Sequence, residues 1–308
     1  MFRAERSRPV VSVAMPFYNA AATLAVAARS ILEQSFSNFE LLLCNDGSTD
    51  QGLQVAESLS FADPRVVVWS HSRRAGLAAR LNECVEGALG EYFARMDADD
   101  ISYPERIRKQ VRFLEERRDV DLVGTHMLVF RGDGDAVGKI AGPTAHEEIA
   151  RRPHMGVKVW HATWCGRIGW FRRNRYDERC RLAQDQELLF RAHRTSRYGA
   201  IPELLYANRV ERLELRKMLR YRWLWMRYMS RHLRGMQGFA TGVRVAALLG
   251  AKACVDTFAV ASGLDYKILR HRGARLSDRE IVEWELVRRR FFRGEDAVRT
   301  MAAVTGAG

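Results

Sequence analysis

The chain has little that would tie it to a membrane interior or an oxidising compartment. No run of about 18 uncharged apolar residues occurs in it, so no segment reads as a membrane-spanning helix. The most apolar stretch near the C-terminus, residues 245–264, is interrupted by Lys252 and Asp256. The first residues, Met-Phe-Arg-Ala-Glu-Arg-Ser-Arg-Pro, lack the apolar core of a signal peptide, which predicts no leader. Cys44, Cys84, Cys165, Cys180 and Cys254 are dispersed, with no Cys-x-x-Cys pair among them. An odd, scattered set predicts reduced thiols in the cytoplasm and excludes a disulfide framework.

What is present is a globular composition. The 308 residues are 47% hydrophobic and 28% charged, enough for one large domain or a domain with an appendage. Net charge is +13, a balance that favours polyanions: nucleic acid, an anionic membrane face, or phosphorylated ligands. The excess is uneven. Residues 205–234 and 267–293 are Arg-rich, whereas residues 40–63 are acidic.

Apolar runs and helical periodicities alternate along the first half. Residues 10–15 form a β-branched apolar run that ends at Pro16, a buried strand, with Phe17-Tyr18-Asn19 turning out of it. Residues 20–34 place Leu24, Ala28, Ile31 and Leu32 at helical spacing. A second strand over 39–44 runs into Asn45-Asp46-Gly47-Ser48-Thr49-Asp50, which is turn and cap chemistry ahead of a helix over 51–59. A strand over 65–69, a helix over 76–89 ended by Gly90 and a strand over 92–96 follow. This rhythm predicts βαβ units and a parallel sheet, with ligands beyond the carboxyl ends of the strands. Further on, the pattern predicts a helix over 104–117, a strand over 122–130 with a tight loop after it, and a short helix over 143–152. It also predicts a helix carrying Asp185 in its first turn and a closing edge strand over 200–207.

The fourth strand runs into Asp97, Asp99 and Asp100. Asp97 and Asp99 are two apart, so on an extended backbone they share a face. Two oxygen ligands on one face suit Mg2+ or Mn2+ when a diphosphate completes the site. The plainer alternative is a strand-end turn with solvated acids. Tyr18, Asp46 and Asp97 all fall at strand ends, and that convergence favours the metal reading.

Five motifs then come in order: Val11-Ser-Val-Ala-Met-Pro-Phe-Tyr-Asn19, Phe39-Glu-Leu-Leu-Leu-Cys-Asn-Asp-Gly-Ser-Thr-Asp50, Gly76-Leu-Ala-Ala-Arg-Leu-Asn82, Gly90-Glu-Tyr-Phe-Ala-Arg-Met-Asp-Ala-Asp-Asp100 and Ala183-Gln-Asp-Gln-Glu-Leu-Leu-Phe-Arg191. Together they resemble family 2 glycosyltransferases of the GT-A fold, over roughly residues 9–210. The resemblance implies an α/β fold with a Rossmann-like, mostly parallel sheet, and it leaves residues 211–300 as a basic helical C-terminal region. It implies an inverting transfer from a nucleotide-diphosphate sugar, a UDP-sugar in most relatives, to a hydroxyl acceptor in surface glycan synthesis. It places Pro16, Tyr18 and Asn19 in the nucleotide pocket, Asp46 on the base, Asp97 on ribose or donor sugar and Asp99 on Mn2+ or Mg2+. Asp185 stands where relatives carry the catalytic base. Gln184 replaces the acid that usually precedes it.

Other features have two readings each. His161 and Cys165 are four apart, but no second pair accompanies them; core packing or acceptor contact suits them better than metal binding. His161 is the candidate acceptor-pocket residue. Trp160, Trp164 and Trp170 are either a sugar platform or core. Arg73, Arg74 and Arg80 either reach a phosphate or are solvated. Residues 211–234 form a basic amphipathic helix: Leu215, Met218, Leu219, Trp225, Met226, Met229 and Leu233 on one face, Arg216, Arg220, Arg227, Arg231 and Arg234 on the other. Such a helix lies on an anionic membrane or packs its stripe on the catalytic domain. A Gly-rich break over 235–242, helices over 243–270 and 277–293, a capping box at Ser277-Asp-Arg-Glu280 and a frayed tail from Thr300 complete the reading.

The expected partners are a nucleotide sugar, a glycan or lipid-linked acceptor and the inner face of the cell membrane, not nucleic acid. A non-catalytic nucleic-acid- or membrane-binding protein would explain the charge but not Asp46, Asp97 and Asp99. A nucleotidyltransferase would carry a Gly-rich, basic loop after the first strand, where this chain has Pro16-Phe17-Tyr18-Asn19.

Overall fold

The computed structural model describes residues 8–132, 134–210, 215–232, 235–262 and 274–292. Its centre is β1 (Val11–Phe17), every residue of which is buried. β1 lies between β2 (Phe39–Asp46) and β4 (Tyr92–Arg95), parallel to both, and β3 (Val66–His71) extends the parallel set beyond β2. Near-continuous apolar runs are what parallel strands covered on both faces require. The full order is β3-β2-β1-β4-β8-β6-β9-β5, with β7 (Asp135–Ile140) on β6 (Leu122–Arg131). β8 (Cys165–Arg167) runs antiparallel to β4 and β6, while β9 (Tyr198–Arg209) is parallel to β6.

Period-two alternation splits the core between two helical layers. Val11, Val13 and Met15 of β1 and Leu41 and Leu43 of β2 face α1 (Leu24–Leu32), α2 (Gly52–Ala62) and α4 (Arg106–Glu116). Ala14, Leu42 and Cys44 face the other way, onto α3 (Leu77–Gly87), α6 (Ile168–Arg173) and α7 (Gln184–Ala192). α5 (His146–Ile149) is a single turn, shorter than the helix predicted over 143–152. Gly90 must be glycine for a packing reason: a Cβ there would stand 2.6 Å from the Ser12 backbone nitrogen.

β9 is not the edge expected over 200–207. The two-residue strand β5 (Ile101–Ser102) pairs with its far side. A strand that short leaves no periodic signal, so the edge was misplaced.

Among the described residues three helices follow: α8 (Leu215–His232), α9 (Gly235–Ala261) and α10 (Asp278–Phe292). The predicted break over 235–242 is instead the start of α9; its glycines are carried by a helix apolar enough to continue through them. The Thr300 tail, Leu233 and Arg234 lie outside the described residues. α10 starts with the expected box, Ser277 N donating to Glu280 Oε2 at 2.7 Å and Glu280 N to Ser277 Oγ at 3.4 Å. Its Trp284, Val287, Phe291 and Phe292 pack on Phe130, Tyr103 and Leu204, and Trp284 Nε1 donates to Gly134 O at 2.8 Å. Ile281 faces solvent.

The amphipathic stripe of α8 is buried only toward its C-terminal half, with Leu219 exposed. Trp225, Tyr228 and Met229 are buried; Trp225 Nε1 reaches His154 O at 3.3 Å and its ring stands edge-on to Phe190. α9 packs along α8, pinned by a buried ion pair between Arg222 and Asp256. No helix among the described residues is long and apolar enough to cross a membrane.

Candidate active site

The order β3-β2-β1-β4 brings the carboxyl ends of adjacent parallel strands to one edge. Residues Tyr18, Asp46 and Asp97 follow or end β1, β2 and β4 there.

Asp46 is buried and held by three donors. Ala75 N and Arg80 Nε donate to Oδ1, each at 2.8 Å, and Gly76 N donates to Oδ2 at 2.9 Å. Arg80 is itself buried, with further bonds to Glu83 Oε2 at 3.0 Å and Arg73 O at 2.9 Å. Each carboxylate oxygen accepts about two hydrogen bonds, so Oδ2 keeps room for one further donor. Arg80 therefore organises the pocket floor rather than lying in water. Arg74 instead stacks on the Tyr18 ring, 3.9 Å from its centroid, and Tyr18 stays partly exposed. Pro16 is buried within β1. Asn19 adopts a left-handed φ of 51°, a conformation asparagine tolerates better than most residues. Its Oδ1 accepts from Thr49 N at 2.8 Å, and its own N donates to Ser48 Oγ at 3.0 Å, tying the first strand's exit to the second's.

Three neighbouring aspartates have three different environments. Asp97 is half-buried and takes both ends of the Arg95 guanidinium, one at 2.9 Å. Arg95 is almost wholly buried, the one charged residue within the otherwise apolar run 92–96. Asp100 is fully buried and accepts from Tyr206 Oη at 2.7 Å, Asn208 Nδ2 at 3.0 Å and Arg209 N at 2.7 Å. Burial, then the charges of Asp97 and Asp99, push its carboxyl well above the usual range. Asp100 is thus a brace between β4's exit and β9. Asp99 opens outward, and among the described residues no side chain donates to it. Crowding by protein, then the charge on Asp97, raises its carboxyl. A raised acid beside a second acid is the environment a divalent cation relieves, so oxygen donors at Asp99 and Asp97 fit Mn2+ or Mg2+.

Asp185 sits in the first turn of α7, where the helix dipole favours an anion. Burial outweighs that and raises its carboxyl. Gln186 Nε2 lies 3.4 Å from its Oδ2. The field of Arg95 reaches Asp185, and the phenol of Tyr176 feels both Asp185 and Asp97. The base candidate and the acidic strand end therefore share one neighbourhood. Ala183, two residues earlier, holds φ at 58°, a left-handed state that costs a Cβ-bearing residue roughly 1–2 kcal/mol. It is kept there by packing against Cys180 and Tyr228 of α8. The side-chain oxygen of Gln184 is buried without a hydrogen-bond partner among the described residues.

His161 is held by the Tyr176 hydroxyl at 2.9 Å and stands edge-on to Trp164. Burial, then Arg95, hold its imidazole well below the usual range. Trp164 and Trp170 are fully buried core; Trp160 is partly buried and lines a cavity. Sequence reasoning missed Arg95, Tyr176, Tyr206 and Arg106. Arg106 is fully buried, donating to Arg95 O at 2.7 Å and lying 4.9 Å from the Tyr206 ring centre. Only the position of Arg95 inside an apolar run carried a signal; the others depend on contacts distant in sequence.

The family model for glycosyl transferase family 2 matches residues 12–176, more than half of the chain. A putative glycosyltransferase EpsE of Bacillus subtilis is 48% identical over 126 residues, 40% of this chain and 45% of that protein. A glycosyltransferase of Methanocaldococcus jannaschii is 26% identical over 67% of this chain and 72% of its own length. The chain thus spans less than half the length of the first of these relatives. Among solved structures, S. aureus TarS (1–349) in complex with UDP superposes at a TM-score of 0.56, with 21% identity, over 71% of this chain and 65% of that one. The mannosyltransferase PcManGT from Pyrobaculum calidifontis, in complex with GDP-Man and Mn2+, superposes at 0.57 with 16% identity over 86% of both chains. The fold is the GT-A arrangement, and the chain belongs to glycosyl transferase family 2.

Proposed function

We propose that the chain is an inverting enzyme that moves a sugar from a UDP-sugar to a hydroxyl of a glycan or lipid-linked acceptor in surface polysaccharide synthesis. The observation that carries it is the convergence of Asp46, Asp97 and Asp99 at one sheet edge with Asp185 within the same electrostatic neighbourhood. Relatives in solved structures bind UDP or GDP-Man with Mn2+, which supports a nucleotide-sugar donor here.

In this reading Pro16, Tyr18 and Asn19 shape the nucleotide pocket, and the spare acceptor capacity of Asp46 meets a base N–H. Asp97, oriented by Arg95, contacts ribose or donor sugar. Asp99 with Asp97 would hold Mn2+ or Mg2+, which supplies charge neutralisation to the diphosphate leaving group. Asp185 takes the proton from the acceptor hydroxyl as that oxygen bonds to the anomeric carbon and the bond to the diphosphate breaks. No covalent nucleophile is needed. His161, fixed by Tyr176, helps shape the acceptor side. A screen of nucleotide sugars with and without Mn2+ tests this. Release of free nucleoside diphosphate is expected; release of pyrophosphate would make the enzyme a nucleotidyltransferase.

We also infer peripheral attachment to an anionic membrane, on α9 rather than on the α8 stripe, whose Trp225 and Met229 are buried. Val243, Leu248, Val255 and Phe258 of α9 are exposed, and α8 exposes Arg216, Arg220, Trp223 and Arg227. Apolar anchors beside cations suit an acidic lipid surface. In flotation with anionic vesicles, Val255→Asp/Phe258→Asp should stay at the bottom while wild type floats. Equal flotation would end this inference.

A further inference from the structure

Cys44 of β2 and Cys84 of α3 are far apart in sequence, and the fold brings their thiols into hydrogen-bond contact. Both are wholly buried. His71, the last residue of β3, and Glu83 of α3 stand beside them. His71 Nε2 lies 2.8 Å from Glu83 Oε1, and Cys44 Sγ donates to Glu83 Oε2 at 3.8 Å. One ligand atom each from Cys44, His71 and Glu83 lies within 4.8 Å of the other two.

A thiol, an imidazole and a carboxylate thus converge from three elements. Such a donor set suits Zn2+ and is poor for Mn2+ or Mg2+, which take oxygen ligands. Zinc bonds of about 2.0–2.1 Å to nitrogen and oxygen and about 2.3 Å to sulfur need ligand atoms about 3.3–3.6 Å apart, so side-chain shifts of about 1 Å close the set. The His71 and Glu83 side chains are 31% and 33% exposed, which leaves an entry path and a fourth position for water.

The surroundings fit an ion as well. The Cys84 thiol is pushed well up by its hydrogen bond to Cys44 and then by burial, so it stays protonated and donates to the Cys44 sulfur from behind. Glu83 Oε2 accepts from Arg80 Nη1 at 3.0 Å, which fixes the carboxylate as outer partners of a metal ligand do. With Cys44 as a thiolate, Cys44, Glu83 and Asp46 carry three negative charges. Arg80, paired with both acids, carries one positive charge. A divalent cation brings the group to neutrality.

We propose that Cys44, His71 and Glu83 form a Zn2+ site, separate from the Mn2+ or Mg2+ position at Asp97 and Asp99, and that the ion clips β2, β3 and α3 together next to the Asp46–Arg80 pair. Binding displaces the Cys44 thiol proton and the proton held between His71 and Glu83. The site stands or falls independently of the donor reading.

The test uses the full chain carrying Cys254→Ser, which removes an exposed thiol, after chelator treatment and desalting. Co2+ is the optical probe and Zn2+ the calorimetric one. One equivalent of Co2+ should give a thiolate-to-cobalt charge-transfer band. Zn2+ should erase that band, and excess Mg2+ should not. His71→Gln should weaken Zn2+ by at least about tenfold, while Asp99→Ala binds it like the parent chain. Cys44→Ser should abolish the band; because Cys44 is buried, the part-exposed His71 carries the test if that variant does not fold. Zn2+ should also raise the unfolding midpoint of the parent chain and not that of His71→Gln. Absence of the band, or a His71→Gln chain that binds Zn2+ as tightly as the parent, overturns the proposal and leaves an ion pair over two core cysteines. Loss of the band in Asp99→Ala would place the ion at the strand-end acids and overturn it too.

Discussion

The strand-end pocket and the α8–α9 hairpin both bury an arginine against an aspartate, and they use the pair differently. In the pocket, Arg80 and Asp46 lie in a connected network with two backbone N–H groups, Glu83 and the Arg73 carbonyl, and only one acceptor position on Asp46 Oδ2 stays open. In the hairpin, Arg222 meets Asp256 and leaves one N–H unsatisfied beside a cavity. A nearly saturated network makes a rigid floor. An unsaturated one leaves a buried donor whose desolvation is not offset. The same distinction separates Asp100, which is saturated by Tyr206, Asn208 and Arg209, from Asp99, which is open. Rigid and open groups alternate within four residues, so a motif letter alone does not assign a role.

The largest effect is expected where an open acid does chemistry. Asp185→Asn keeps volume and helix position but cannot take a proton, so turnover should fall by about 10^3-fold. UDP binding should stay within about twofold, because Asp185 belongs to α7 and not to the strand-end floor. Nucleoside diphosphate release and calorimetry measure the two. A fall in both together would mean that Asp185 is structural and would erase the contrast between open and saturated acids.

The saturated network is expected to fail thermodynamically instead. Arg80→Met removes the buried partner of Asp46 and should cost on the order of 3 kcal/mol in urea unfolding, because the remaining carboxylate stays buried. A loss under about 1 kcal/mol would show that Ala75 N and Gly76 N suffice and that Arg80 is dispensable to the floor.

Smaller is the pH effect at His161. Its imidazole stays neutral in the folded state well below the usual range, whereas unfolded histidine titrates near about 6.5. Below that pH the unfolded chain binds a proton that the folded chain refuses, so stability falls as pH falls. Between pH 7.5 and 5.5 wild type should lose about 1.4 kcal/mol more than His161→Gln, which keeps a hydrogen-bonding partner for Tyr176. Equal losses in the two proteins would place His161 in a wetter site than the aromatic wall suggests.

How far these distinctions were legible beforehand depends on range. The parallel strands, the crossover helices and the acids at strand ends are local patterns, readable from apolar runs broken by turn residues such as Asn45-Asp46-Gly47. The α10 capping box was legible for the same reason. Arg80, Arg106 and Arg222 were not: each sits at a helical position that reads as solvated, and each is buried by a partner or wall distant in the chain. Asp46 and Arg80 are 34 positions apart, as are Arg222 and Asp256. The stripe on α8 was legible as a stripe, but its complement, His154 and Phe190, lies far upstream. The apolar outer face of α9 escaped because its hydrophobic residues surround the helix and leave little periodic contrast.

The smallest effect comes from replacing the hairpin's pair altogether. Arg222→Met/Asp256→Leu removes both charges together and fills the space with apolar atoms. Desolvating two charges roughly offsets their attraction, so the double variant should unfold within about 1 kcal/mol of wild type. Arg222→Met alone leaves Asp256 buried and unpaired, and should be about 3 kcal/mol worse. If the double variant is instead as unstable as the single one, the pair is a structural element like Arg80 with Asp46.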